Sequence, residues 1–233
     1  MEYTTNYALS NEQTAIRQPL LETMPSAWTL FAILSLFYIA LSALGYVFIL
    51  TDNVYVHGMA EKLTSERIEE ALAMRSQYWY WVPILPPILL GLRAAYTALC
   101  LAIGTIIFGL DINYSKVFKI ALIAEGIFVL AMAVQVFYGL FVLNVYMPED
   151  YTEFAPLSFL QFFDPTQLKL WMKHPLRTIN LFEVAYCFVL AYFLTPLLPK
   201  RGFMQTLGLV SASYGLGLLL WAVALAFLLL QVS

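Results

Sequence analysis

Long apolar runs separated by short polar breaks set the pattern of this chain. Residues 27–50 carry no charged side chain, and Asp52 closes the run. A polar stretch over 51–77 follows, then apolar runs at about 83–110, 117–143, 178–198 and 203–230. Each run exceeds the roughly 18 residues that a helix needs to cross a ~30 Å hydrocarbon layer. The pattern predicts an all-α fold, a polytopic membrane helix bundle with five transmembrane helices plus short interfacial amphipathic helices. A polar segment, 1–26, precedes a 27–233 transmembrane domain. No internal repeat is visible, so symmetry lends no support to an inverted-repeat transporter.

The polar breaks carry helix signals of their own. Thr64 or Ser65 can cap a helix with Glu66 in its first turn, and Ile68, Ala71, Leu72 and Met74 recur at helical spacing. These residues predict an amphipathic helix over 65–77. Tyr78, Trp79, Tyr80 and Trp81 suit the membrane interface. Pro83, Pro86 and Pro87 follow, and proline is best tolerated in a first turn, so the second transmembrane helix is expected to begin near Pro87. Further on, Asp164 as N-cap, Pro165 at N1 and Gln167 closing a capping box predict an interfacial helix. It should stop where His174 precedes Pro175, and lie on the bilayer or on the bundle.

Composition agrees with the pattern. Apolar residues make up 61% of the chain and charged residues 12%, against about 45–50% and about 25% in an average soluble domain. A net charge of −3 offers no basic face for nucleic acid, so none is expected as a partner. The expected partners are the lipid bilayer and other membrane proteins or further copies of the chain. Cys100 and Cys187 lie inside apolar runs and read as small buried hydrophobes. The first 26 residues hold one basic side chain, Arg17, which argues for a retained first helix over a cleaved signal. Lys116 and Lys119 flank one short connector and Lys200 and Arg201 fill another. Positive residues in short connectors mark the cytoplasmic side. The expected topology is therefore N-terminus cytoplasmic, C-terminus outside.

The polar N-terminus, five runs, proline-rich approach to the second run and Asp164-Pro165 segment, with the strings FKIALIAEGIF and LRTINLFEVAY, together resemble the Yip family of multispanning membrane proteins, especially its bacterial members. The likeness covers roughly residues 27–230. It implies a non-enzymatic protein of the bacterial inner membrane with a structural, scaffolding or assembly role. It does not carry over the GTPase partners of the eukaryotic relatives. The alternatives are an accessory subunit of a larger membrane complex and a small transporter or channel.

Ionisable groups inside a span are costly, which singles out Arg93, Glu125 and Glu183. Counting about 1.5 Å per residue from the cytoplasmic ends puts Arg93 roughly 25 Å deep, Glu183 roughly 23 Å and Glu125 roughly 12 Å. Matching depth predicts an Arg93–Glu183 ion pair, set against an Arg93 that snorkels to the headgroups. Glu125 has no cation at its depth. It reads as a hydrogen-bonding staple, or a proton- or cation-carrying carboxyl, among Ser35, Tyr38, Ser211, Ser213 and Tyr214. His57 and His174 stand alone, and HExxH, GxSxG, CxxC and phosphate-loop patterns are missing from the sequence, so no catalytic residue, cofactor or metal is expected. Ser211–Gly215, Ser213–Gly217 and Ala94–Ala98–Ala102 are small-residue pairs suited to close helix packing.

Overall fold

A computed structural model describes residues 24–60, 63–110, 112–163, 168–198 and 201–231. Among them helices account for nearly all regular structure, and the single extended feature is an isolated bridge between Ser158 and Asn180. The chain is an all-α membrane helix bundle. Four helical stretches are long and apolar enough to cross a membrane: Ala27–Ile49, Trp81–Ile107, Tyr114–Phe141 and Phe203–Leu230. The remaining apolar stretch, Leu181–Leu197, is shorter than the 178–198 run that the sequence suggested.

Helix α1 (Ala27–Leu44) starts at Ser26, whose hydroxyl accepts from the Thr29 N–H at 3.2 Å, and ends in a π-helical turn, Gly45–Ile49. The polar stretch after it forms two helices, α2 (Asp52–Ala60) and α3 (Ser65–Gln77). The second matches the expected 65–77 helix; α2 has no clear apolar periodicity and was not anticipated. Arg75 of α3 fastens this pair to the end of α1. Its guanidinium donates to the carbonyls of Tyr46 and Leu50, pairs with Asp52, and covers the rings of Tyr46 and Tyr55 at 4.3 and 4.8 Å. Carbonyls at a helix C-terminus lack intrahelical partners and carry partial negative charge, so a cation there meets both needs. Arg75→Ala is expected to cost about 1.5–3 kcal/mol, the range for bonds to charged groups, and to open α3 to protease in lipid nanodiscs. Arg75→Lys should not restore protection, because one ammonium cannot reach two carbonyls, a carboxylate and two rings together.

Helix α4 (Trp81–Ile107) begins well before Pro87 and carries Pro86 and Pro87 inside it, correcting the expected start. Near the helix start the penalty is limited. These prolines fail only to supply the N–H groups that the carbonyls of Val82 and Pro83 would receive, and Pro83 sits where its own missing N–H is not needed. The third run folds as α5 (Tyr114–Ala124) and α6 (Gly126–Phe141), with an irregular turn at Glu125 between them. The chain turns just past the end of α4, but α5 does not start level with that end. Gly109 takes the left-handed conformation, φ +69°, and the chain returns along α4 until the Tyr114 hydroxyl donates to the Ala95 carbonyl at 3.4 Å.

The described residues of the 144–178 segment include regular structure. They contain α7 (Pro148–Thr152), a 3₁₀ turn (Phe159–Phe162) and α8 (Leu170–Thr178). Asp164, Pro165 and Gln167 lie outside the described residues. The helix described after them has Lys169 as N-cap and runs through Pro175 to Thr178, which corrects the expected stop before Pro175. Tertiary contacts override the proline: Lys173 pairs with Glu153, and Arg177 donates to the Thr152 carbonyl at 2.8 Å. Burial lowers the proton affinity of Arg177, and the Glu153 charge opposes that shift. Helix α8 packs along α10 (Phe203–Leu230), so it rests on the bundle.

Helix α9 (Leu181–Leu194), prolonged by a 3₁₀ turn at Thr195–Leu197, completes the set. Contacts run in a closed circuit from α1 to α4, α10, α9, α6 and back to α1, while α5 packs against α1, α4 and α9. The main core follows from this arrangement, with Ala98, Leu101, Ile120, Tyr186 and Leu190 fully buried. Small residues set the approach of α4 to α10. Gly104 faces Ser213 and Gly217 faces Cys100, which uses the Ser213–Gly217 pair as expected. Ser211 is exposed and a Cβ on Gly215 would meet nothing within 4 Å, so among the described residues the other expected pair sets no close helix approach.

Candidate intramembrane polar site

The polar residues inside the bundle meet where α5 gives way to α6. Arg93, midway along α4, reaches Glu125 at the irregular turn. Its Nε donates to Oε1 and Oε2 at 3.0 and 2.9 Å, and its Nη2 pairs with Oε2. Nη2 also donates to the Tyr38 hydroxyl of α1 at 3.1 Å, and the guanidinium carbon lies 3.7 Å from the centroid of the Phe128 ring. The Glu125 side chain is fully buried, whereas 38% of the Arg93 side chain is exposed at the rim. Tyr186 of α9 closes the far side, its hydroxyl 3.1 Å from Glu125 Oε1 and 3.0 Å from Thr97 Oγ1. Its single proton goes to the carboxylate, the stronger acceptor, leaving Thr97 to supply the second bond.

Glu183 belongs to a neighbouring arrangement. It lies in the first turn of α9, where its N–H donates to the Asn180 side chain at 2.8 Å. Its Oε2 accepts from the Tyr214 hydroxyl of α10 at 2.9 Å. The Tyr186 ring connects the two groups, 5.2 Å from the Tyr214 ring and 4.9 Å from that of Phe128.

The expected Arg93–Glu183 pair is therefore corrected: Arg93 is committed to Glu125, and Glu183 to Tyr214. The depth count failed because it started each helix at the same level. The connector returns along α4 before α5 begins, which lifts Glu125 toward Arg93, and the long Arg93 side chain covers the rest. Of the hydroxyls proposed around Glu125, Tyr38 joins through Arg93. Ser213 bonds to the Leu209 carbonyl of its own helix at 2.8 Å, and Tyr214 serves Glu183. Ser35 is buried with no hydrogen bond among the described residues, and Ser211 is exposed.

Thr97, Phe128 and Tyr186 were not singled out from the sequence. Each lies one helical turn from a residue that was: Thr97 from Arg93, Phe128 from Glu125, Tyr186 from Glu183. Residues three or four apart share a helix face, and that rule was the available signal. Chemically, Glu125 is an acceptor whose bonds are taken up by one guanidinium and one hydroxyl. His57 Nδ1 bonds to the Asn53 carbonyl of its own helix at 2.8 Å, and among the described residues no cluster of three metal-ligating side chains occurs. Comparison of the chain with protein-family models, curated proteins and solved structures gave no match.

Proposed function

We propose that the chain is a non-enzymatic, Yip-like integral membrane protein with a structural, scaffolding or assembly role in a bacterial inner membrane. The observation that carries this reading is the use made of the intramembrane charges. Arg93, Glu125 and Glu183 are bonded to side chains from other helices, and Tyr38, Arg93, Glu125, Tyr186 and Tyr214 together tie α1, α4, the α5–α6 turn, α9 and α10. Such a set fixes helix register and holds the bundle in one arrangement. The proposed topology, N-terminus cytoplasmic and C-terminus outside with five crossings, draws support from Lys119. Its ammonium donates to the Met24 carbonyl at 3.1 Å, placing the start of α1 on the same side as the Lys116/Lys119 connector.

A second reading has one observation in its favour. Two carboxylates, Glu125 and Glu183, lie in neighbouring arrangements inside the bundle, and the Arg93 side chain bonded to the first is 38% exposed, features that a proton- or ion-handling site would use. Purification in mild detergent with native mass spectrometry, paired with flux assays in proteoliposomes, separates the readings. A scaffold should emerge with stoichiometric membrane-protein partners or as an oligomer, and be silent in flux. Proton or ion flux that Glu125→Gln abolishes would overturn it in favour of transport.

A further inference from the structure

Helix α9 is short for a membrane crossing. Leu181–Leu197 has 17 residues, about 25 Å at 1.5 Å per residue against a layer of ~30 Å. Its outward stripe, Leu181, Val184, Phe188 and Tyr192, is exposed at one-turn spacing along the whole helix. At its N-terminal end another part of the chain is pinned to it. The Phe159 N–H donates to the Ile179 carbonyl at 2.9 Å, and the Leu181 N–H donates to the Leu157 carbonyl at 3.0 Å, forming the Ser158–Asn180 bridge.

Residues 157–163 therefore continue α9 beyond its own first turn. Most of the side chains they present are those of a lipid face: Leu157, Phe159, Phe162 and Phe163 are exposed, Phe162 to 80%, Gln161 is the one exposed polar side chain among them, and Ile179 joins them to the α9 stripe. An apolar surface of this kind is out of place against water. Much of the backbone is bonded internally, which is what depth in a bilayer demands of polar groups. The N–H groups of Ser158, Phe159, Gln161 and Phe163 all have backbone acceptors, and the Ser158 hydroxyl is bonded to the Ala155 carbonyl. Leu160 points the other way and is buried. Leu157 holds the left-handed conformation, φ 57°, an unfavourable one for its side chain, at the residue whose carbonyl receives the Leu181 N–H.

We infer that residues 157–163 are embedded in the bilayer and complete the crossing that α9 begins, with lipid acyl chains as the partner of their aromatic face. The crossing is then composite: a short helix plus a re-entrant segment fastened to its end by backbone hydrogen bonds. Continuity with the α9 stripe is what selects lipid over a protein partner.

Spin labelling of the full-length protein in phosphatidylcholine vesicles tests this. Nitroxides are placed by Phe159→Cys and Phe162→Cys in a Cys100→Ala/Cys187→Ala background. Collisions are then measured with oxygen, which concentrates in the bilayer, and with a water-soluble nickel chelate. Val184→Cys on the α9 stripe and Glu69→Cys on the exposed face of α3 give the lipid and water references. The Phe159 and Phe162 labels are expected to match the Val184 label, with oxygen collisions exceeding nickel collisions. A nickel-accessible label resembling Glu69, or one shielded from both reagents by a protein partner, overturns the proposal. Should Phe162→Cys fail to fold, Leu157→Cys gives the same reading from the other end of the segment. The result is independent of the scaffolding role, since it reads immersion alone.

Discussion

Arg93→Met is expected to be the most damaging single substitution in the bundle. It leaves the fully buried Glu125 carboxylate with Tyr186 as its remaining partner. Orphaning one member of a buried pair costs about 3–5 kcal/mol in proteins generally, with the lower end expected in a bilayer, where water can be drawn in. Glu125→Gln should cost less, because the partly exposed Arg93 side chain can turn toward the rim. The double variant, Arg93→Met with Glu125→Gln, should recover much of the loss, since no charge is then stranded. Unfolding in mixed micelles measures all three. The same cycle run on Arg93 and Glu183 should show much weaker coupling, because Glu183 is bonded to Tyr214 instead. Stronger coupling to Glu183 than to Glu125 would contradict the geometry.

Three glycines of α10 and its partner helix are expected to respond in opposite senses to the same change. A methyl group on Gly104 collides with Ser213 Cβ, and one on Gly217 falls 2.5 Å from Cys100 Sγ and 3.2 Å from the Tyr96 hydroxyl. That hydroxyl already donates to the Gly217 carbonyl at 2.7 Å, so it has little room to yield. Overpacking of this kind costs about 1–3 kcal/mol per site. Gly215 has nothing within 4 Å, and Gly215→Ala should stabilise α10 by about 0.5–1 kcal/mol through the gain in helix preference. Thermal unfolding checks the contrast. Ser213→Gly should rescue Gly104→Ala, and Cys100→Ala should rescue Gly217→Ala in part, since the Tyr96 contact stays. Failure of both rescues would mean that the α4–α10 contact is not what limits these sites.

Much of the architecture was legible because a bilayer imposes a simple rule on sequence. Runs such as 27–50 and 203–230 can only be buried as helices, and their boundaries fall within a few residues of α1 with its π turn and of α10. Charged breaks mark their ends, and Thr64 with Glu66 placed α3. Proline was over-read at both places where it was used as a boundary. Pro86, Pro87 and Pro175 all lie inside helices, since a lost donor near a helix end is cheap and neighbouring contacts hold the turn.

The pairing of the buried charges belongs to the tertiary structure. Composition singled out Arg93, Glu125 and Glu183 as residues that must find partners, because the cost of a lone charge in hydrocarbon follows from its chemistry alone. Which carboxylate Arg93 meets depends on axial register, and the connector at Gly109 sets that register by returning along α4 before α5 begins. The fastening of residues 157–163 to α9 is of the same kind, two backbone hydrogen bonds between segments some twenty residues apart. Local sequence dictates where helices form and which side chains need company. Offsets between helices are set by loop geometry and packing, which no periodicity along the chain records.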